Sequence, residues 1–382
     1  MKEYQAAVIG TGFIGGVHIE AIRRLGNVNV AALCDTMGAE KKAEQFCVKK
    51  AYSDYRSMMD ELELDAVHIC TPNHTHYEIA KYAIQKGIHV ICEKPFSTTV
   101  QEAEELVALA KEKGVVGAVN FHNRLYPIPN EMHEMVKHGE AGELFSVHGG
   151  YIQDWLLYET DYNWRLEKGQ VGKTRAIADI GSHWMDLVEF VTGEHIKRVC
   201  AKFRTVYPYR KKSLNRVETF QTVQGAGMEY EDVPIDTEDE AVLMFELEGG
   251  AIGSGIISMV YAGKKNTTML DIAGSRLALS WNSESLNELW IGHRDQANEL
   301  LTKDAALLHG GAAKLASYPS GHVEGFADAF KQMFRQFYDS LDGTEKGEFA
   351  RLEDGLREMR LCEAVYESAM SDSWIEVRGN EA

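Results

Sequence analysis

The sequence predicts an α/β protein of two domains, a doubly wound parallel sheet followed by an α/β domain whose open sheet is mostly antiparallel. The first observation is length, because 382 residues exceed the size of most single domains. The second is a regular alternation of apolar runs and helix-like stretches over residues 1–122, and the third is a series of strand-like runs within residues 123–382. We therefore predict domains 1–122 and 123–382.

The first domain contains short apolar runs with the composition of buried strands. Helix-like stretches such as His74–Gln85 and Thr99–Lys113 separate them, which predicts a parallel sheet with helices on both faces. The runs are Ala6–Gly10, Val28–Cys34, Ala66–Cys70, Ile88–Cys92 and Val115–Val119.

The second domain has helices at both ends and strands between them. Gly-rich turns join consecutive strand-like runs, which favours antiparallel pairing, and residues 207–234 read as an irregular surface excursion. We expect that the C-terminal helix can pack back on the first domain. The helices are Asn130–Lys137, Ile180–Val191, Gly325–Tyr338 and Leu352–Ser371, and the strands are Leu144–Tyr151, Arg198–Val206, Glu240–Glu246, Ala251–Met259, Thr267–Ala273, Arg276–Trp281 and Trp374–Val377.

The composition argues against several classes of protein. With 40 basic and 58 acidic side chains the formal net charge is −18, which disfavours nucleic acid and anionic membranes as partners. The sequence shows no signal peptide, and no uncharged apolar run approaches the roughly 18 residues that span a bilayer. The six cysteines have neither disulfide-framework nor metal-ligand spacing. These features predict a cytoplasmic protein with free thiols.

A glycine motif follows the first predicted strand. Residues 8–15 read VIGTGFIG, a G-x-G-x-x-G pattern between a strand and a helix. Gly10 permits a tight turn, Gly12 lets the backbone approach a pyrophosphate, and Gly15 allows close packing of helix on strand. Asp35 ends the next strand and can accept hydrogen bonds from ribose hydroxyls, while its charge repels a 2′-phosphate. The pattern predicts a dinucleotide site that prefers NAD to NADP.

Two further strand ends open into the same crevice. Residues 71–76, TPNHTH, follow the run ending at Cys70, and Glu93, Lys94 and Pro95 follow the run ending at Cys92. His74 and His76 lack a third clustered ligand, so they are more typical of a turn and helix start than of a metal site. We predict no metal.

Lys94 stands in HVICEKPF, residues 89–96, directly after an apolar strand. Pro95 biases Lys94 toward extended geometry and fixes the direction of the turn. At a strand end that faces a cofactor cleft, a lysine can take a proton from a substrate hydroxyl. The alternative is a surface lysine in a salt bridge.

A second pair of chemical groups lies in residues 179–186, DIGSHWMD. If a helix begins here, Asp179 and His183 are four residues apart and share one face. A carboxylate and an imidazole together can hold and deprotonate a polyol. The alternative is that Asp179 caps the helix and His183 is structural.

The motifs GTGFIG, TPNHTH, EKP and DIGSH, in this order, resemble the Gfo/Idh/MocA oxidoreductases, the group of glucose–fructose oxidoreductase and inositol dehydrogenase. The resemblance extends over Pro234–Ala241 and Ala273–Trp281. It implies an N-terminal Rossmann domain, a C-terminal sheet whose face serves oligomerisation, and a homodimer or homotetramer. It also implies that Lys94 and His183 share acid–base work while Asp179 orients a sugar.

The same resemblance implies the residues that contact cofactor and substrate. Tryptophan faces can stack on sugar rings, and Gln, Asp and Arg side chains can bind hydroxyls in pairs. For NAD the expected contacts are Gly10, Thr11, Gly12, Phe13, Ile14, Gly15, Asp35, Thr71, Pro72, Asn73, His76, Glu93, Lys94, Asn123 and Arg124. For the sugar they are Lys94, Arg124, Gln153, Asp154, Trp155, Trp164, Arg165, Asp179, His183 and His322.

The sequence therefore predicts an NAD-dependent dehydrogenase that oxidises a ring hydroxyl of a sugar or glycoside, such as the hydroxyl at C3. One alternative is a glycosidase that retains NAD and acts by transient oxidation and elimination. Another is a non-catalytic sensor of a sugar or of NAD, against which the complete set of Lys94, Asp179 and His183 argues.

Overall fold

A computed structural model of the chain describes residues 2–167, 169, 171–214, 229–343 and 347–379. The contacts divide the chain into two compact units. The first contains Met1–Tyr126 and Glu324–Met359, and the second contains Pro127–Val323 and Arg360–Ala382. The domain limits 1–122 and 123–382 stay predictions, since the contact-based first unit also draws on residues near the C-terminus.

The first unit is built on a six-stranded parallel sheet with the order β3-β2-β1-β4-β5-β6. The order reverses between β1 and β4, which is where such sheets open a ligand crevice. All residues of β4 and β6 are buried, as expected for strands covered by helices on both faces. The strands are β1 Tyr4–Ile9, β2 Val28–Cys34, β3 Ala51–Tyr52, β4 Ala66–Ile69, β5 His89–Cys92 and β6 Gly117–Val119.

The helices of this unit follow local signals in the sequence. Thr99 and Glu102 form a capping box at the start of one helix, and Gly114 ends it in the left-handed region at φ 65°. The helices are α1 Phe13–Arg23, α2 Ala39–Gln45, α3 Tyr55–Glu61, α4 His76–Gln85, α5 Val100–Lys113 and α9 Phe326–Leu341, with short 3₁₀ turns at Asn73–Thr75 and His122–Leu125. Helix α10, Leu352–Ser371, begins in the first unit and ends in the second.

The second unit contains a nine-stranded sheet with the order β16-β15-β14-β13-β7-β12-β11-β8-β17. Among its described pairs only β7 and β12 run parallel, so the predicted α/β class with a mostly antiparallel second sheet is confirmed. The strands are β7 Leu144–Ile152, β8 Ile196–Arg204, β11 Glu240–Leu247, β12 Ile252–Ser258, β13 Thr267–Gly274, β14 Ala278–Asn282, β15 Glu288–Gly292, β16 Glu299–Thr302 and β17 Ile375–Glu376.

Helices and a small second sheet complete this unit. Strands β9 Tyr209–Ser213 and β10 Tyr230–Pro234 pair antiparallel where an irregular excursion was predicted, and residues 215–228 between them lie outside the described part of the chain. The helices are α6 Pro127–Lys137, α7 Ser182–Thr192 and α8 Gly310–Leu315, with 3₁₀ turns at Trp164–Leu166 and Ser283–Ser285 and a π-helical turn at Ile177–Gly181.

One face of the nine-stranded sheet is packed and the other is exposed. On the packed face Trp184 of α7 is fully buried and its indole N–H donates to the carbonyl of Met269 at 2.8 Å. On the other face, Val242 and Met244 of β11 and Ile252 and Ile256 of β12 are between 43% and 63% exposed. In the described part of the chain, no helix is both long enough and apolar enough to cross a membrane.

Candidate cofactor and substrate sites

The loop between β1 and α1 has the geometry of a phosphate cradle. Gly10 has φ +91°, and a Cβ on it would lie 2.5 Å from the carbonyl oxygen of Cys70. A Cβ on Gly15 would lie 2.1 Å from the carbonyl oxygen of Gly10, so only glycine lets α1 approach β1 this closely. Gly12, the N-cap of α1, faces open space, and the helix has no acidic residue in its first turn. The loop fits a pyrophosphate at a helix N-terminus.

Asp35 lies at the end of β2, beside this loop. Its Oδ2 accepts hydrogen bonds from the backbone N–H and the hydroxyl of Thr11, both at 2.7 Å, and its Oδ1 accepts one from the N–H of Met37 at 3.1 Å. These bonds fix the carboxylate and leave lone pairs for the hydroxyls of a ribose. Phe13, at the start of α1, is 63% exposed.

The turn after β4 is tied to the turn after β5 through one histidine. His76 is buried, with Nδ1 2.8 Å from the carbonyl oxygen of Pro95 and Nε2 2.8 Å from that of Thr71. Burial lowers the pKa of His76 despite these two hydrogen bonds, so the neutral ring donates to one carbonyl at a time. His76 thus braces two turns at the carboxyl edge of the sheet, and its direct contact with a cofactor stays a prediction.

The Glu93–Lys94 turn carries one buried and one half-buried charged side chain. Glu93 is buried, and its Oε1 accepts hydrogen bonds from Asn120 Nδ2 at 2.5 Å and from His18 Nε2 at 2.9 Å. Burial alone would raise the pKa of Glu93, but the hydrogen bonds from His18 and Asn120 and the charge of Lys94 outweigh burial and lower that pKa. Lys94 is only half-buried, and the Lys94–Pro95 peptide is cis. The place of the Lys94 side chain at the cofactor crevice stays a prediction.

The segment after β6 places two predicted cofactor residues in different roles. Asn123 is buried, and its Nδ2 has no hydrogen-bond partner among the described residues, so this amide can donate to a ligand. Arg124 is also buried and pairs with Asp354 at 2.9 Å. This pairing gives Arg124 a structural role in the first unit, and its contact with cofactor or substrate stays a prediction.

In the second unit, Asp179 and His183 lie on either side of a change in helix type. Asp179 belongs to the π-helical turn Ile177–Gly181, and His183 belongs to the first turn of α7. Single π turns inside helices are frequent at functional sites. Asp179 is 8% exposed and His183 is 5% exposed, so both groups are largely removed from water.

Arg165 and Tyr151 join this pair. The Nε of Arg165 lies 3.0 Å from Oδ2 of Asp179, and the guanidinium carbon lies 4.6 Å from the centroid of the Trp164 ring. The Tyr151 ring centroid is 6.3 Å from that of His183. Burial raises the pKa of Tyr151 well above its usual range, and the charge of Asp179 adds to this. Tyr151, the last residue of a predicted strand, was not among the site residues predicted from the sequence.

Gln153 follows β7 and has an unusual environment. Its backbone is held by Ser258 and Tyr261 through hydrogen bonds of 2.8 and 2.9 Å. Its side chain is fully buried, and within the described part of the chain neither amide atom has a hydrogen-bond partner. Leaving a buried amide unpaired is costly, so a ligand with both donor and acceptor groups is the natural complement.

The other predicted sugar contacts are more dispersed. Asp154 accepts hydrogen bonds from Lys265 at 2.7 Å and from the N–H of Gly263 at 3.1 Å, which is a structural role. Trp155 is half-buried. His322 is exposed and its carbonyl accepts from Lys303 at 3.0 Å. For these three residues, contact with substrate stays a prediction.

A buried charge cluster holds in place two segments that contain predicted substrate contacts. The carboxylate of Asp239 accepts from Arg175 at 2.5 Å and from Arg210 at 2.7 Å, and all three side chains are fully enclosed. Arg210 also donates to the carbonyls of residues 156, 158 and 161, at 2.9 to 3.3 Å. Neighbouring Glu238 accepts from the backbone N–H groups of residues 175 and 177 at 2.9 Å. The cluster, which the sequence analysis missed, thereby fixes both the loop after Trp155 and the turn that contains Asp179.

Comparison with known proteins links these features to one family. Residues 4–121 match the model described as oxidoreductase family, NAD-binding Rossmann fold (GFO_IDH_MocA), and residues 130–280 match the GFO/IDH/MocA C-terminal domain. The chain is 28% identical to levoglucosan dehydrogenase of Pseudarthrobacter phenanthrenivorans over 99% of both chains. It is 26% identical to D-glucoside 3-dehydrogenase of Escherichia coli over 65% of this chain and 68% of that protein. A solved levoglucosan dehydrogenase in complex with NADH and levoglucosan superposes with a TM-score of 0.88 at 25% identity, covering 99% of this chain and all of the other.

Two glycines of the loop provide a matched pair of substitutions. Gly15→Ala places a Cβ against the backbone oxygen of Gly10, so we expect it to destabilise the protein by about 1–3 kcal/mol. Gly12→Ala meets no atom within 4 Å and should keep the stability of the parent while weakening NAD binding at least about tenfold. Thermal unfolding and calorimetric titration with NAD measure the two effects. Equal loss of stability in both variants would contradict this reading of the loop.

The Asp239 cluster predicts a strong effect of a nearly isosteric change. Asp239→Asn leaves two buried guanidinium groups without their shared counter-charge, and we expect it to cost about 3–5 kcal/mol of the free energy of unfolding. Asp236→Asn, at an exposed position nearby, is the control and should cost less than about 0.5 kcal/mol. Denaturant titration measures both values.

Asp239→Asn should also change the way in which the stability of the protein depends on pH. Burial acts to raise the pKa of Asp239, but the charges of Arg175 and Arg210 outweigh it and the pKa is lowered. A carboxyl with a lowered pKa in the folded state stabilises the protein above its unfolded pKa of about 3.9, and this contribution is lost as the pH falls through the lowered folded value. The parent should therefore lose stability more steeply below about pH 4 than Asp239→Asn does. Parallel slopes would argue against an ionised Asp239.

Proposed function

Because the chain belongs to the GFO/IDH/MocA family of oxidoreductases, we propose that it is an NAD-dependent dehydrogenase that oxidises a ring hydroxyl of a sugar or glycoside. The first unit is the NAD-binding Rossmann domain of this family. The glycine cradle at the start of α1 and the fixed carboxylate of Asp35 fit the pyrophosphate and the adenosine ribose. The absence of an arginine at the two residues after Asp35, Thr36 and Met37, supports NAD over NADP.

The proposed substrate class depends on one feature of the second unit, the side-chain amide of Gln153. The enclosed Gln153 amide has both atoms unpaired among the described residues, and Asp179 and His183 lie in the same unit with Arg165 and Trp164 beside Asp179. A polyol ring offers what these groups need, because its hydroxyls donate and accept while its C–H faces stack on an indole. The relatives that act on levoglucosan and on D-glucosides support a sugar, and the latter supports C3 as the position of oxidation.

The proposed chemistry divides the work among a few side chains. Asp179 accepts a hydrogen bond from the reacting hydroxyl, and Arg165 at 3.0 Å holds this carboxylate in its ionised form. His183 and Lys94 share the acid–base step, one of them taking the hydroxyl proton as the C–H bond breaks. NAD supplies the hydride acceptor when it is bound. The proposal requires one substrate hydroxyl to be within reach of both Lys94 and His183.

The remaining predicted residues would hold the rest of the sugar. Trp155 and Trp164 can stack on the ring, and Gln153 binds a pair of hydroxyls through its oxygen and its nitrogen. Asp154, Arg124 and His322 are proposed at the margin of the site. The six cysteines are all free, which supports a reducing compartment, and we propose the cytoplasm.

The test of the function is a panel of sugars, glycosides and anhydro-sugars assayed with NAD and with NADP. We expect NADH formation with at least one pyranose or glycoside and a clear preference for NAD. Absorbance of NADH is followed beside product analysis. Release of free sugar without net NADH would instead identify a glycosidase that retains NAD, and binding without any turnover would identify a sensor.

A substitution at Lys94 tests the mechanism within that assay. Lys94→Ala should lower kcat by about 10²–10⁴-fold, while the Kd for NAD changes by less than about threefold. Lys81→Ala removes a surface lysine of the same unit, one that pairs with Glu105 at 2.6 Å, and should leave both quantities unchanged. If Lys94→Ala lowers kcat and weakens NAD binding by the same factor, Lys94 has no specific role in the chemical step.

We also propose that the exposed face of the nine-stranded sheet joins two copies of the chain. Val242 of β11 lies directly opposite Ile256 of β12, and Met244 and Ile252 extend the same apolar patch. Contiguous exposed apolar surface on a sheet marks an interaction site, and a two-fold axis lets a patch contact its own copy.

The oligomer is tested by light scattering after size exclusion. Met244→Lys should shift the particle toward half its mass, because it places a charge in the patch. Leu307→Lys, at a position 64% exposed in the same unit, is the control and should leave the mass unchanged. An unchanged mass for Met244→Lys, or a monomeric parent, would contradict the proposed contact.

A further inference from the structure

A chain of buried polar side chains crosses the first unit and ends at Glu93. The hydroxyl of Tyr338 on α9 lies 2.9 Å from Nε2 of His68, and Nδ1 of His68 lies 3.0 Å from Nδ1 of His18. The Nε2 of His18 lies 2.9 Å from Oε1 of Glu93. His18, His68 and Tyr338 are fully buried among aromatic rings such as Phe334. Apolar surroundings of this kind make every missing donor or acceptor costly.

The contacts determine which atoms hold the hydrogens. Glu93 accepts a hydrogen bond from Asn120 as well, and a carboxylate only accepts, so His18 Nε2 must be the donor to Glu93. A neutral His18 then accepts at Nδ1, which requires His68 to donate from its Nδ1. His68 in turn accepts at Nε2 from the hydroxyl of Tyr338. Burial and the neighbouring His18 ring hold the pKa of His68 well below its usual range, in agreement with a neutral ring.

In this arrangement every donor points the same way, from Tyr338 toward Glu93. A protonated His18 would still donate to Glu93, but it would reverse the His18–His68 and His68–Tyr338 bonds and leave the Tyr338 hydroxyl as an acceptor. Its proton would then need another acceptor, and among the described residues this hydroxyl has only the His68 contact. With both histidines neutral, each of the three contacts between Tyr338, His68, His18 and Glu93 pairs one donor with one acceptor.

The end of the chain lies in the half of the sheet that receives the nicotinamide. Asp35, which binds the adenosine ribose, follows β2 on one side of the order reversal, and Glu93 follows β5 on the other. We propose that Tyr338, His68 and His18 form a one-way donor chain that keeps Glu93 ionised beside the nicotinamide site, so that the protein favours the positively charged NAD⁺ over NADH. His18 is thus a positioning residue. The inference rests on NAD binding by the first unit and is independent of the sugar chemistry.

Other titratable groups also act on Glu93 and must be accounted for. They come from α1, from the ends of β4 and β5, from α4 and from the turn after β6. These groups are His18, Cys70, His76, Cys92, Lys94 and His122. Among the residues that the structure describes, only His18 and the neutral Asn120 donate hydrogen bonds to the Glu93 carboxylate. The loss of His18 therefore removes one of two donors and leaves burial to favour the neutral acid.

The test compares binding of NAD⁺ and of NADH to the full-length protein by calorimetry. In His18→Leu we expect the Kd for NAD⁺ to rise about tenfold while the Kd for NADH changes less than about twofold. The loss of NAD⁺ affinity in His18→Leu should grow as the pH falls from 8 to 6, because the buried Glu93 carboxyl without its His18 donor takes up a proton. In His18→Gln the amide Nε2 can still donate to Glu93, so this variant should keep most of the preference for NAD⁺ over NADH.

Equal weakening of both cofactor forms in His18→Leu would overturn the proposal and show a merely structural role. Failure of the parent to bind either form would instead refute NAD binding itself. If His18→Leu does not fold, ¹⁵N spectra of the histidine-labelled parent show which ring nitrogens of His18 and His68 carry hydrogen. The variants Tyr338→Phe and His18→Gln identify the signals of the two histidines. The proposal requires His18 with its hydrogen on Nε2 and His68 with its hydrogen on Nδ1. The opposite tautomers, or a protonated His18, would refute it.

Discussion

The second unit is organised around the carboxylate of Asp239, which receives the guanidinium groups of Arg175 and Arg210 away from water. Desolvating three charges costs several kcal/mol per ion, and a hydrophobic cluster of the same volume would serve stability at least as well. The charged cluster instead positions the backbone, because a guanidinium directs its several N–H donors in a fixed planar geometry. Arg210 uses these donors to hold the carbonyls of a loop, and Arg175 lies on the chain segment that leads into the π-helical turn of Asp179.

The first unit solves a related problem with neutral groups. Its glycine loop brings backbone close to backbone, which makes room for phosphates but supplies no charge selectivity for the other half of the cofactor. In the proposal above, the hydrogen-bonded chain that ends at Glu93 provides this selectivity from within the core, through rings that donate in one direction. Both units thus hold buried carboxylates with buried partners, and within the described part of the chain the two amide atoms of Gln153 have no hydrogen-bond partner and can bind a ligand.

The sequence was informative wherever a property is local. The G-x-G-x-x-G motif and the alternation of strands and helices in the first unit each depend on neighbours in the chain, and the structure agrees with them. Arg210 was not predicted to be buried, because it stands beside Lys211 and Lys212 and nothing in its neighbours indicates a buried carboxylate 29 residues later. Likewise His18, on a helix face, and His68, within an apolar strand, meet only after the sheet has formed. Strand pairing in β9 and β10 was also missed, since the polar composition of those segments resembles a loop.

The division of the chain between the two units has a consequence for synthesis on the ribosome. The parallel sheet of the first unit is complete by residue 119, yet α9 belongs to this unit and Val119 donates to the carbonyl of Ala350 at 3.0 Å. Nearly the whole polypeptide must therefore emerge before the nucleotide-binding half can close its own core. Until then one flank of that core stays uncovered, including the ring of His68, and the open strand edge at β6 can pair with another unfinished chain.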